Sequence, residues 1–129
     1  MKISKNELDS VTKLSAVDRY KYFIKKVVDS ETLYSLQNLN NELATAEVEN
    51  NKILSFWSAF EFAQECATGE WQNYAVVNFS LDTFNKIILR TIKAKGYLLN
   101  IFSVRNETGF VVDSEEFLRD ISEEMQNYQ

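Results

Sequence analysis

Apolar residues recur along the chain with two periods, one near 3.6 residues and one of 2, separated by short polar stretches. Over 16–30, Val17, Tyr20, Ile24, Val27 and Val28 fall at helical spacing. Ser15 stands before them as an N-cap, with Asp18 three residues on. A second helix is predicted over about 59–68: Ser58 and Glu61 have the spacing of a capping box, and Gly69 is placed to end it in a left-handed turn. A third spans 81–95, capped by Ser80, with Phe79 and Phe84 at staple spacing and Gly96 closing it. Its predicted buried stripe is Phe84, Ile87, Ile88 and Ile92. The fourth, 114–127, starts from Asp113 with Glu116 three residues on, and should bury Phe117, Leu118, Ile121, Met125 and Tyr128.

Strand patterns lie between the helices. Thr32–Gln37 and Leu43–Val48 flank the turn Asn38-Leu39-Asn40-Asn41 and read as a hairpin. A second turn at Glu49-Asn50-Asn51 leads into Ile53–Trp57, apolar on both faces as a central strand is. Tyr74–Phe79 and Tyr97–Val104 are rich in β-branched and aromatic residues. Gly109–Val112 follows the turn 105–108 and is expected to pair back on 97–104. The order is α-β-β-β-α-β-α-β-β-α. Consecutive strands of this kind predict an α+β fold, a largely antiparallel sheet covered by helices. The 129 residues make a single α+β domain, with 1–13 as a loosely ordered N-terminal segment.

Composition narrows the chemistry. There is no His and no Pro, only 1 Cys and 3 Gly. Imidazole dyads, triads and His-containing zinc sites are excluded. One Cys makes neither an internal disulfide nor a CxxC pair. Gly69, Gly96 and Gly109 lie too far apart for a phosphate-cradling loop. The N-terminal residues have no apolar secretory core and no apolar run approaches a membrane span, so a cytoplasmic protein is expected. The net charge of −5 and pI near 4.8 make nucleic acid and anionic membrane surfaces poor partners.

Few side chains remain as candidates for chemistry. Cys66 falls late in its helix, where the dipole disfavours a thiolate, and reads as packed and inert. Glu61 and Glu65 share a helix face, but Glu61 is already assigned to the cap. Seven aromatics crowd into residues 56–79: Phe56, Trp57, Phe60, Phe62, Trp71, Tyr74 and Phe79. They form a core, or they line a ligand groove at Trp57, Phe60, Trp71 and Tyr74. Charge is uneven. Residues 80–95 carry Lys86, Arg90, Lys93 and Lys95 against Asp82, whereas 106–129 carry seven acids against Arg119. Glu116, Asp120, Glu123 and Asn127 form one helical stripe at i, i+4, i+7 and i+11. That stripe is either a solvated face or a surface for a basic partner.

The stretch Trp57-Ser58-Ala59-Phe60-Glu61-Phe62-Ala63, continued by Cys66-Ala67-Thr68-Gly69-Glu70-Trp71, resembles the signature of a bacterial family, domain-of-unknown-function family 2750. The flanks resemble it too, at 14–23 and at Ser80-Leu81-Asp82-Thr83-Phe84, so the likeness covers about 14–128. The chain departs from the family pattern at Phe56-Trp57-Ser58, where members carry proline. The resemblance implies a small α+β cytoplasmic protein and brings no catalytic residue, metal or cofactor. Two function classes remain. One is a non-catalytic protein-interaction module (adaptor, inhibitor or immunity type) whose partner is a basic protein surface or the 86–95 helix of a second copy. The other is a small-ligand-binding domain using the aromatic groove. An enzyme would have to run on carboxylates, Tyr or Lys alone.

Overall fold

The computed structural model describes residues 2–105 and 107–127. Tyr128 of the expected C-terminal stripe lies outside them. The chain runs α1 (Lys5–Thr12), α2 (Ala16–Ser30), β1 (Thr32–Gln37), β2 (Thr45–Val48), β3 (Asn51–Phe56) and α3 (Phe60–Glu65). A single 3₁₀ turn, Gly69–Trp71, leads to β4 (Ala75–Ser80). Next comes α4, over 81–95: an α turn at Leu81–Thr83, a π segment at Phe84–Ile88 and α again at Leu89–Lys95. β5 (Leu98–Ile101), β6 (Phe110–Val112) and α5 (Ser114–Gln126) complete it. The predicted α+β class and element order stand, with α1 added. Residues 5–12 are helical and not loose, because Ser4 Oγ accepts the Glu7 N–H at 3.1 Å and Val11 is buried in the core. Glu7 is tied to α2 by the Tyr22 hydroxyl and by Lys26 at 3.7 Å.

β3 is central. It pairs antiparallel with β2 and parallel with β5, and β5 pairs antiparallel with β6. β1 and β4 form a second antiparallel ladder. Mutual Tyr34–Trp57 backbone hydrogen bonds of 2.8 Å join β1 to the chain just past β3. The expected 32–48 hairpin is therefore reduced to a bridge at Gln37–Leu43. Its connection is wide: Asn38 Oδ1 accepts the N–H groups of both Asn40 and Glu42. The tighter turn is Glu49-Asn50, both left-handed with φ of 51° and 68°, and it makes β2–β3 the true hairpin.

Helix caps follow the sequence at Ser15, Ser80 and Asp113, each accepting the N–H three residues on. Gly96, at φ 70°, ends α4 as expected. The capping box at α3 does not form. Ala59 is the N-cap, Ser58 Oγ is buried with no partner among the described residues, and Glu61 instead accepts the Ile3 N–H at 3.3 Å. Gly69 opens the 3₁₀ turn and does not terminate α3, whose C-cap is Cys66.

The buried stripes also shift. In α4 the π segment adds a residue to one turn, so Leu89 N–H bonds to Phe84 O and Leu89 joins Leu81, Phe84 and Ile92 in the core. Ile87, expected inside, is 62% exposed. In α5, Phe117 and Ile121 are buried, whereas Leu118 and Met125 are exposed. That helix packs against α2 and α4. Val17, at the start of α2, is also exposed. The core is built on edge-to-face aromatics, Phe56 on Phe84 at 5.0 Å and Phe84 on Phe117 at 5.6 Å.

Candidate functional site

Cross-strand partners in β3 and β5 share a face, so Leu54, Leu99, Phe56 and Ile101 point one way, and Ile53, Leu98, Ser55 and Asn100 the other. Polar side chains on this second face are buried and must find partners there. Ser35 Oγ donates to Ser55 O at 2.7 Å, Asn100 Nδ2 donates to Ser55 Oγ at 3.0 Å, and Asn100 Oδ1 accepts the Gly109 N–H at 2.8 Å. Asn100 therefore fixes the loop that follows its own strand. A Cβ at Gly109 would stand 2.2 Å from Ile101 O, so only glycine fits that approach.

β5 stops short of the expected Val104 because Phe102 turns left-handed, at φ 64°. This conformation is costly for an aromatic residue. It persists because Phe102 is fully buried against Phe62, its N–H bonds Phe56 O at 2.9 Å, and its carbonyl accepts Arg19 Nε at 2.9 Å. Arg19 is itself 1% exposed and also donates to Leu14 O at 2.5 Å. The turn aims the next carbonyl, that of Ser103, at Trp57 Nε1 (2.8 Å) and the Cys66 thiol (3.4 Å).

These constraints shape a cavity of about 310 Å³ on the second face of the sheet. Ala46 and Ile53 supply apolar wall, and Trp71 an aromatic one. Asn100, Ser103, Thr68 and Thr108 supply neutral polar groups; Glu70, Glu107 and Arg105 supply charge. Burial pushes the Cys66 thiol above its ordinary pKa, only partly offset by the bond to Ser103, so it is poorly suited to act as a nucleophile. The lining offers hydrogen bonds, an aromatic wall and both signs of charge. Such a lining has the groups to hydrogen-bond to and stack against a polar organic molecule.

A second concavity, a groove of about 610 Å³, lies between α2 and α5. Tyr20, Ile24, Phe110 and the exposed Val17 provide its apolar surface. One wall carries Glu116, Asp120, Glu123, Glu124 and Asn127, the other Lys21 and Lys25. The Tyr20 hydroxyl donates to Asp120 Oδ2 at 2.6 Å. Burial, then this bond to an anion, holds the phenol well above its ordinary 10.0.

The structure separates the four residues of the expected aromatic groove. Trp57 is fully buried beneath the cavity, with Trp71 standing edge-on to it at 6.3 Å. Trp71 lines the cavity; Tyr74 is half-buried and Phe60 half-exposed, and neither is part of the wall. The stripe Glu116, Asp120, Glu123 and Asn127 does come together, as a groove wall and not a flat face. Sequence reasoning missed Asn100, Ser103, Arg105, Gly109 and the buried Arg19. Polar residues inside apolar strands, Ser35, Ser55 and Asn100, were the available signal.

Fold and clefts define a small α+β protein with a polar-lined cavity on one face of its sheet and a charged groove between two helices. The chain belongs to the family described as "Protein of unknown function (DUF2750)", matched over residues 20–121. No curated protein matches it. Among the described residues, no helix is long and apolar enough to cross a membrane.

Proposed function

We propose that this protein is a non-catalytic binding module whose principal site is the Trp71 cavity, taking a small polar organic molecule with one flat or apolar face. The observation that carries the reading is the backbone around the cavity. A left-handed buried Phe102, a Gly109 that admits no side chain and a buried Asn100 are all spent on the loop that forms its wall. Strain held in place by so many contacts marks a site whose shape matters. Trp71 offers a face for stacking, Arg105 a charged fork, and Ser103, Thr68 and Thr108 short hydrogen-bonding groups.

Native mass spectrometry of protein purified under mild conditions, with small-molecule mixtures added back, tests this reading. A bound species lost in Trp71→Ala and in Arg105→Ala supports it. Binding indifferent to both substitutions, or none across metabolite mixtures, would remove it. A second reading, a protein-interaction module that meets a basic surface, is favoured by the α2–α5 groove, where four carboxylates flank an apolar floor. A cytoplasmic location fits both readings.

A further inference from the structure

We propose that the α2–α5 groove receives helix α4 of a second copy of this chain, with Ile87 as its apolar anchor. This rests on the reading of the groove as a protein-binding surface. The π segment is what presents Ile87: the extra residue in that turn carries Leu89 into the core and leaves Ile87 62% exposed. Lys86 and Arg90 lie next to it on the exposed side of the helix. An isolated exposed isoleucine needs no explanation. One flanked by cations, on a chain that also holds an apolar groove walled by carboxylates, has a matching surface within its own sequence.

The charge match lies on one flank of the helix: α4 brings Lys86 and Arg90 to a wall of Glu116, Asp120, Glu123 and Glu124, while Asp82, on that same flank, is paired with Lys86 at 3.0 Å. Among the described residues, Lys21, Lys25, Glu123, Glu124 and Arg90 make no ion pair within one copy. The two walls of the groove thus face one another without closing. An entering helix would give the acidic wall a partner while Ile87 covers Tyr20, Ile24 and Phe110. Donor helix and receiving groove are different elements, so each copy donates one helix and accepts another: a mutual exchange closes a two-fold dimer, and a one-way exchange gives a head-to-tail chain or ring. The net charge of −5 opposes association in general, so attraction between the two local faces must exceed it, most readily at moderate protein concentration and low salt.

Sedimentation velocity over a range of protein concentrations and salt tests the proposal. We expect a mass above the monomer at low salt that returns to monomer as salt rises. Ile87→Asp weakens association about tenfold or more. Two charge-reversed proteins, one Glu123→Lys with Glu124→Lys and the other Lys86→Glu with Arg90→Glu, are each monomeric, and circular dichroism confirms their fold. Mixed, they associate again, because each reversed face meets its complement. A monomer under every condition, or a mixture no heavier than its components, overturns the proposal. A fluorescein-labelled amphipathic Lys/Leu helical peptide separates the two layers of the argument. If it binds the groove of a chain that stays monomeric, the groove takes proteins but not its own copy; if it does not bind either, the protein-binding reading falls as well.

Discussion

The two clefts are built by opposite means. The Trp71 cavity is written in the backbone: a left-handed phenylalanine, a glycine pressed against Ile101 O and a buried asparagine hold a loop in one shape. The α2–α5 groove is written in side chains on two regular, capped helices. Its walls are exposed carboxylates and ammonium groups around an apolar floor. A site made of strained backbone is rigid, and changes to it are paid for in stability. A site made of solvated side chains can change its specificity at almost no cost to the fold.

That contrast breaks if substitutions in the two regions cost the same. The largest losses are expected under the cavity. Trp57→Ala removes a fully buried indole and its bond to Ser103, and should cost about 3–5 kcal/mol in urea unfolding. Gly109→Ala forces a methyl against backbone and should cost about 3 kcal/mol. Either is a large share of the roughly 5–15 kcal/mol available to a domain.

Alkaline pH gives an intermediate effect. Tyr20 has its folded pKa raised by burial and by Asp120, and Tyr22 likewise by burial and Glu7. The folded state therefore keeps phenol protons that the unfolded chain loses above about pH 10. Their stabilisation is fully present below pH 10 and declines as pH rises towards the folded values, by up to about 1.4 kcal/mol per unit per group. Thermal melts between pH 8 and 11 should fall only at the alkaline end, and Tyr20→Phe should flatten the fall. A melting temperature that rises over that range would contradict this assignment.

Cys66 sharpens the contrast from the cavity side. Buried, with its thiol pKa raised and its Sγ on Ser103 O, it should react with a thiol reagent at neutral pH at least about tenfold slower than a model thiol. Labelling as fast as the model thiol would mean that the cavity wall opens freely. The smallest effect belongs to the groove: Glu123→Lys should shift stability by less than about 0.5 kcal/mol, because its side chain is exposed. A loss above 1–2 kcal/mol would show that the groove wall is structural.

How much of this was legible in the sequence follows the same division. Ser15, Ser80 and Asp113 announced their helices because an N-cap is a local event read within three residues. The acidic stripe of α5 came out of helical period alone and proved to be one wall of a groove. The other wall, on α2, was invisible because it depends on how two helices pack. Ile87 was misplaced because periodicity assumes 3.6 residues per turn and a π segment breaks that rule without a sequence signature. The cavity was least legible. The Phe102 turn is imposed by Arg19, 83 residues away, and by Phe56 O, and no local preference of phenylalanine predicts it. The aromatic cluster pointed to the right neighbourhood through Trp71, but mixed wall residues with core because burial is a tertiary property.

The central claim, that the Trp71 cavity is a small-molecule site distinct from the groove, is tested most directly by the two tryptophan indole N–H signals in a nitrogen–proton correlation spectrum. Trp71→Phe assigns them, and mixtures of polar metabolites are then titrated in. The account predicts saturable movement of the Trp71 indole together with the Arg105 and Gly109 amides, while α5 amides stay in place. Movement confined to α2 and α5, or none at Trp71 for any mixture, would contradict it.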